Sequence, residues 1–116
     1  MTRTDGTLTS RDGTELFFQH WQIDGPTKAV LCLVHGLGEH SGRYDHVAET
    51  FNAAGYAVIA FDTRGHGRSP GTRGHTPFDR TMEDVTALLD RAAELYPGLP
   101  RFLYGHSLGG LIVLTH

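Results

Sequence analysis

No stretch of the chain constrains its fold more than Gly105-His106-Ser107-Leu108-Gly109. The apolar run Arg101-Phe102-Leu103-Tyr104 leads into it and Gly110-Leu111-Ile112-Val113-Leu114 follows, so a strand, a tight turn and a helix are predicted in immediate succession. In that context a G-x-S-x-G turn holds its serine in a strained backbone conformation at the carboxyl end of a sheet. The flanking glycines remove the Cβ atoms that would keep helix and strand apart. A pentapeptide alone is short enough to arise by chance, and its weight comes from what surrounds it.

Upstream, strand-like and helix-like stretches take turns. Residues 7–20 alternate in polarity and break at Arg11-Asp12-Gly13, which predicts a hairpin with strands from Thr7 to Ser10 and from Glu15 to Trp21. Ala29 to Val34 is a continuous apolar run between turn residues, the pattern of a strand buried on both faces and central in a parallel sheet. His35-Gly36-Leu37-Gly38 leaves that strand, and glycines there free the backbone to turn N–H groups toward a ligand, as half of an oxyanion hole requires. Tyr44, Val47, Ala48, Phe51 and Ala54 have helical spacing up to Gly55, and Tyr56 to Phe61 reads as a second buried strand. Asp62 to Asp79 is a loop rich in glycine, arginine and histidine, longer than a connection needs and therefore read as functional. From Thr81 to Tyr96, Met82, Val85, Leu88, Leu89, Ala92, Leu95 and Tyr96 form one stripe, with Glu83, Asp84, Asp90, Arg91 and Glu94 placed mostly off it. Pro97-Gly98 stops that helix. The resulting order predicts a doubly wound α/β sheet.

Composition narrows the function classes. The 116 residues are 39% hydrophobic and 20% charged, ordinary for one domain or part of one. A net charge of −3 with scattered Lys and Arg offers no basic surface, so no nucleic-acid partner is expected. The single cysteine, Cys32, lies inside a buried strand pattern and is read as a small apolar residue rather than a reactive one. With no apolar leader and no run long enough to span a bilayer, no transmembrane segment is expected and a cytoplasmic setting fits. No histidine or carboxylate cluster has ligand spacing and no phosphate-binding glycine loop follows a strand, so neither a metal nor a cofactor is expected.

Three blocks carry a resemblance to the α/β-hydrolase fold family, and within it to the monoacylglycerol lipase and lysophospholipase-like branch. His35 to Tyr44 resembles that branch's H-G-x-G-E-H-S-G-R-Y segment. Asp62 to Gly74 resembles its D-x-R-G-H-G-x-S-x-G-x-R-G loop, and Gly105 to Gly110 its G-H-S-x-G-G elbow. The resemblance implies the amino-terminal part of a single, mostly parallel α/β-hydrolase domain over residues 1–116, with a hairpin first and the nucleophile elbow near the end. It implies Ser107 as nucleophile and the backbone N–H groups of Leu37 and Leu108 as the oxyanion hole, where fixed donors stabilise the transition state more than the ground state. Glu39 and Arg43 match positions near the substrate's polar head; a surface ion pair is the alternative. His35, His66 and His106 sit in family motifs where they look structural. The implied substrate is a small acyl ester of the monoacylglycerol or lysophospholipid kind, with peripheral contact to lipid through a lid.

A serine hydroxyl needs a base, and the base an acid. In this fold both follow the serine, in the order Ser, Asp or Glu, His. Only nine residues follow Ser107 and none is acidic. His116 lies about 13 Å of helical rise from Ser107, beyond hydrogen-bond reach. The expectation is therefore a fragment whose lid, remaining strands, triad acid and triad histidine are absent, inactive and poorly soluble by itself, with Phe102-Leu103-Tyr104 on an open sheet edge. Thioesterase or proline-type peptidase chemistry is the nearest alternative in the same fold, and a non-catalytic pseudo-hydrolase binding module is the alternative from another class.

Overall fold

Alternation of buried runs with amphipathic ones produces five strands and two helices. They are β1 (Thr2–Thr9), β2 (Glu15–Gln22), β3 (Ala29–Val34), α1 (Asp45–Ala53), β4 (Tyr56–Phe61), α2 (Phe78–Leu95) and β5 (Arg101–Gly105). The computed structural model describes residues 2–35, 44–71, 73 and 78–105. The strands form one mixed sheet in the order β1-β2-β4-β3-β5. β4, β3 and β5 are parallel, with the antiparallel hairpin β1–β2 joined to the β4 side.

The two faces follow from the period of two along each strand. Val30, Cys32 and Val34 of β3 pack with Leu16, Phe18, Ile59 and Phe61 against Val85, Leu88 and Ala92 of α2. Leu31 and Leu33 point the other way, with Trp21, Val58 and Ala60, against Tyr44 and Ala48. A helix therefore covers each face of the sheet, as the doubly wound reading expected. Every residue of β3 is buried, which is why that strand is apolar without alternation. Full burial of such side chains stabilises by roughly 1.5–3 kcal/mol each.

Polar groups fix the helices to this frame. Trp21 is completely buried, and its indole Nε1 donates to Asp45 Oδ1 at 3.0 Å, tying β2 to the first turn of α1. Asn52 Nδ2 donates to the Tyr56 carbonyl at 2.7 Å, across the turn into β4. That turn passes through Gly55 at φ 97°, a left-handed conformation that glycine adopts at little cost.

Two boundaries differ by more than one residue from those predicted. β1 begins at Thr2 rather than Thr7, pairing Thr2 with Gln22 through Thr9 with Glu15. Its residues up to Thr7 are exposed, so the strand has no alternating apolar signature to read. α2 begins at Phe78 rather than Thr81; Phe78 is 41% exposed, so the apolar stripe starts later than the helix does. The acidic Asp79 in its first turn suits the positive end of the helix dipole.

Candidate active site

Ser107, Leu37, Leu108, Glu39 and Arg43, the residues to which the sequence assigns chemistry, all lie outside the described residues, as does His106. What the structure describes is the frame from which their segments depart. β3 and β5 are adjacent and parallel, with Val34 opposite Gly105, and β4 ends in the same register with Phe61 opposite Val34. The segments beginning at Gly36 and at His106 thus leave neighbouring strands at one end of the sheet, next to the loop that follows Phe61. The three strands end together, and each of the three sequence blocks begins at one of these ends.

The loop after β4 is built to hold a fixed shape. Ser69 is 1% exposed; its Oγ accepts the Phe17 N–H at 2.9 Å and donates to the Asp62 carbonyl. The Asp62 N–H donates to the Phe17 carbonyl at 2.9 Å, so the loop is bound to β2 from both sides of its start. Arg68 N–H reaches Asp62 Oδ2 at 3.0 Å, and the Arg73 guanidinium donates to the carbonyls of Gly67 at 2.9 Å and Ser69 at 2.5 Å. Gly71, at φ 120°, passes so near Gly65 that an added Cβ would lie 3.0 Å from its backbone nitrogen. No larger residue fits that crossing without moving the backbone.

His35, first after β3, is 1% exposed. Its Nε2 accepts the Thr63 N–H at 2.9 Å and lies 3.1 Å from Thr63 Oγ1. His66, 5% exposed, places Nδ1 3.2 Å from the same hydroxyl and 3.2 Å from the Arg64 carbonyl. The two imidazoles stand 5.5 Å apart. Burial closes this hydroxyl–imidazole cluster to substrate. It joins the exit of β3 to the loop after β4.

The sequence singles out neither Arg64 nor its pairing with Asp84 and Asp12. Its guanidinium donates from Nε and Nη2 to Asp84 at 2.8 and 2.9 Å, and from Nη1 and Nη2 to Asp12 at 2.7 and 2.9 Å. Hydrogen bonds to Asp84 first, then Asp12, push the guanidinium pKa further up, while Arg64 holds the Asp12 carboxyl well below the usual carboxylate range. Asp84 also accepts Ser10 Oγ at 2.5 Å. The sequence reading set Asp84 off the apolar stripe, yet it is fully buried, one position from Val85 and four from Leu88. Its helical spacing on the buried face was the available signal, and a buried carboxylate at such a position demands a cationic partner.

Cys32 is buried, and desolvation pushes its thiol up to about 12, as suits an unreactive core residue. Among the described residues no group of three or more His, Cys, Asp or Glu is arranged to hold a metal, and no helix is long and apolar enough to cross a membrane. An apolar hollow of about 220 Å³ is lined by Leu31, Phe51, Tyr56 and Phe102. Tyr56 opens β4 and Phe102, near the start of β5, pairs with Leu31, so the hollow sits away from the strand ends described above.

Comparison with known proteins agrees with this frame. A family model described as "Serine aminopeptidase, S33" matches residues 25–116. The monoacylglycerol lipase of Mycolicibacterium smegmatis is 42% identical over 116 residues, covering 99% of this chain and 41% of that protein. The human monoglyceride lipase is 42% identical over 108 residues, covering 92% of this chain and 36% of that protein. The crystal structure of a thermostable carboxyl esterase from Bacillus coagulans superposes with a TM-score of 0.84 at 33% identity, covering 97% of this chain and 38% of that one. The chain thus spans about two fifths of the length of these relatives.

Proposed function

The chain belongs to the serine aminopeptidase S33 family of α/β hydrolases, and from that premise we propose that it forms part of a serine hydrolase of carboxylic esters, acting on monoacylglycerol- or lysophospholipid-like substrates. The observation that carries the reading is the register of the parallel strands. Val34 stands opposite Gly105, so the H-G-L-G segment and the G-H-S-L-G segment start side by side at the carboxyl end of the sheet. Lipase and esterase relatives support the reaction class.

In this reading Ser107 Oγ attacks the ester carbonyl, its proton passes to a base, and the backbone N–H groups of Leu37 and Leu108 receive the developing oxyanion. Collapse expels the alcohol and leaves an acyl-Ser107 ester, which water then hydrolyses to the fatty acid with return of the hydroxyl. The sequence predicts a helix opening at Leu108, and the positive end of such a helix favours the same charge. Glu39 and Arg43 contact the polar head of the substrate. The acid and histidine of the triad come from polypeptide other than residues 1–116, so these residues alone are silent as an enzyme. They form one portion of a single hydrolase domain and work in the cytoplasm, with a lid meeting the lipid.

The family model's own description favours a second reading, peptidase chemistry at the same serine, since an elbow and an oxyanion hole serve any acyl transfer. Initial rates of the complete gene product containing residues 1–116 on a monoacylglycerol, an acyl thioester and an aminoacyl amide separate the readings. Ester turnover that disappears in Ser107→Ala is the expected result. Preference for the amide moves the assignment to a peptidase, and no turnover of any of the three leaves a binding module.

A further inference from the structure

Neighbouring residues of the loop after β4 reach in opposite directions. Arg64 forks into Asp84 on α2 and Asp12 in the β1–β2 turn through four bonds of 2.7 to 2.9 Å. Thr63, one residue earlier, sends its N–H to His35 Nε2 at 2.9 Å, at the exit of β3. The backbone between these two anchors has little room to adjust. His66 N–H returns to the Thr63 carbonyl at 3.0 Å, Gly65 N–H donates to the Pro70 carbonyl at 2.8 Å, and the close crossing of Gly71 over Gly65 stops the turn from opening inward.

From this juxtaposition we infer that Arg64 is a positioning residue: by fixing the Thr63 N–H it sets the His35 ring at the exit of β3, two positions before Leu37 in the sequence. The role given to Leu37 rests on the hydrolase reading above; the link from Arg64 to His35 does not. Two bidentate contacts at once need a planar fork with several N–H groups, which a lysine ammonium does not offer. Asp12 and Asp84 belong to different elements, so the guanidinium locates the loop against the hairpin and α2 together. Accepting at Nε2 leaves Nδ1 of neutral His35 as the protonated nitrogen, so the Thr63 bond selects both tautomer and ring orientation. A misdirected donor is costly, because loss of one oxyanion-hole donor slows acyl transfer about 100-fold or more.

The buried Arg64–Asp84 pair also stabilises the fold, and the test separates the two roles. In the complete gene product, reactive Ser107 is titrated with a fluorophosphonate, and kcat per titrated site and KM are measured on a monoacyl ester for wild type, Arg64→Lys, His35→Gln and the double variant. Each single substitution is expected to lower kcat per site by about tenfold or more with KM nearly unchanged, and the double variant to be no worse than the poorer single. Unchanged kcat per site with only a lower melting temperature, or single effects that multiply, overturns the inference. Asp12→Asn, which weakens one fork only, replaces Arg64→Lys should the latter fail to fold, with a smaller change of the same sign expected. Imidazole ¹⁵N NMR of His35 is the arm that needs no activity: its Nε2 signal is expected to shift in the Arg64 or Asp12 variant. If wild type is never titrated, the hydrolase reading falls on that result, and an unmoved His35 signal then overturns the Arg64 link separately.

Discussion

At the residue scale, the dominant feature is a charge cluster between elements, buried at Asp84 and Arg64 and open to water at Asp12. Asp84 is fully buried, and removing it strips Arg64 of its buried partner, leaving the half-open Asp12 contact and two guanidinium donors unpaired in the interior. Asp84→Ala is expected to destabilise by roughly 3–5 kcal/mol in denaturant unfolding; a loss below 1 kcal/mol would mean that water reaches Arg64. A second residue makes stability depend on pH. His20 Nε2 lies 2.5 Å from Tyr96 Oη, and Gln22 Nε2 lies 3.3 Å from its Nδ1, so with the amide donating to Nδ1 the proton sits on Nε2 and points to the phenol. Burial lowers the His20 pKa from 6.5 and raises that of Tyr96. The unfolded chain therefore binds this proton more readily, and the stability held above pH 6.5 is lost as pH falls from there toward the lower folded value. Melting temperatures of wild type and His20→Gln, measured between pH 7.5 and 5, are expected to converge on acidification. A parallel decline would remove His20 from the account.

At the scale of elements, the buried strands were the most legible part of the chain. β3 and β4 occupy the ranges their apolar runs predict, because a strand covered on both faces has no use for polar positions. Elements facing water were legible only in part. β1 carries Thr, Arg, Asp and Gly along an exposed length and is held by pairing to β2 rather than by burial, so its first half left no pattern. The clamp was illegible for a related reason: Asp12 looks like a turn residue, Arg64 like a loop residue and Asp84 like the polar side of a helix, and only the packing brings them together. Among the described residues β5 stands last in the sheet order, with Phe102 53% exposed. A charge there blunts edge pairing and covers less apolar surface. Phe102→Lys is expected to lower light scattering of the purified 116-residue chain at fixed concentration; unchanged scattering would place its association elsewhere.

For the whole molecule, the sequence blocks and the sheet agree on one point of convergence. A doubly wound sheet brings the exits of β3, β4 and β5 to a single end, and each exit starts one of the three glycine-rich sequence blocks. Fold and family were legible from that pattern, since the alternation of strands and helices gave the sheet and the three blocks matched one family's motifs in order. The loop's internal bonding was not, because backbone-to-side-chain contacts such as Phe17 with Ser69 leave no periodicity. The claim on which the rest depends is that Ser107 is a nucleophile, and peptide mapping after fluorophosphonate treatment of the complete gene product tests it most directly. One adduct per chain on the peptide carrying Ser107, absent in Ser107→Ala, is the predicted result. An unmodified protein, or an adduct that persists in Ser107→Ala, would contradict it.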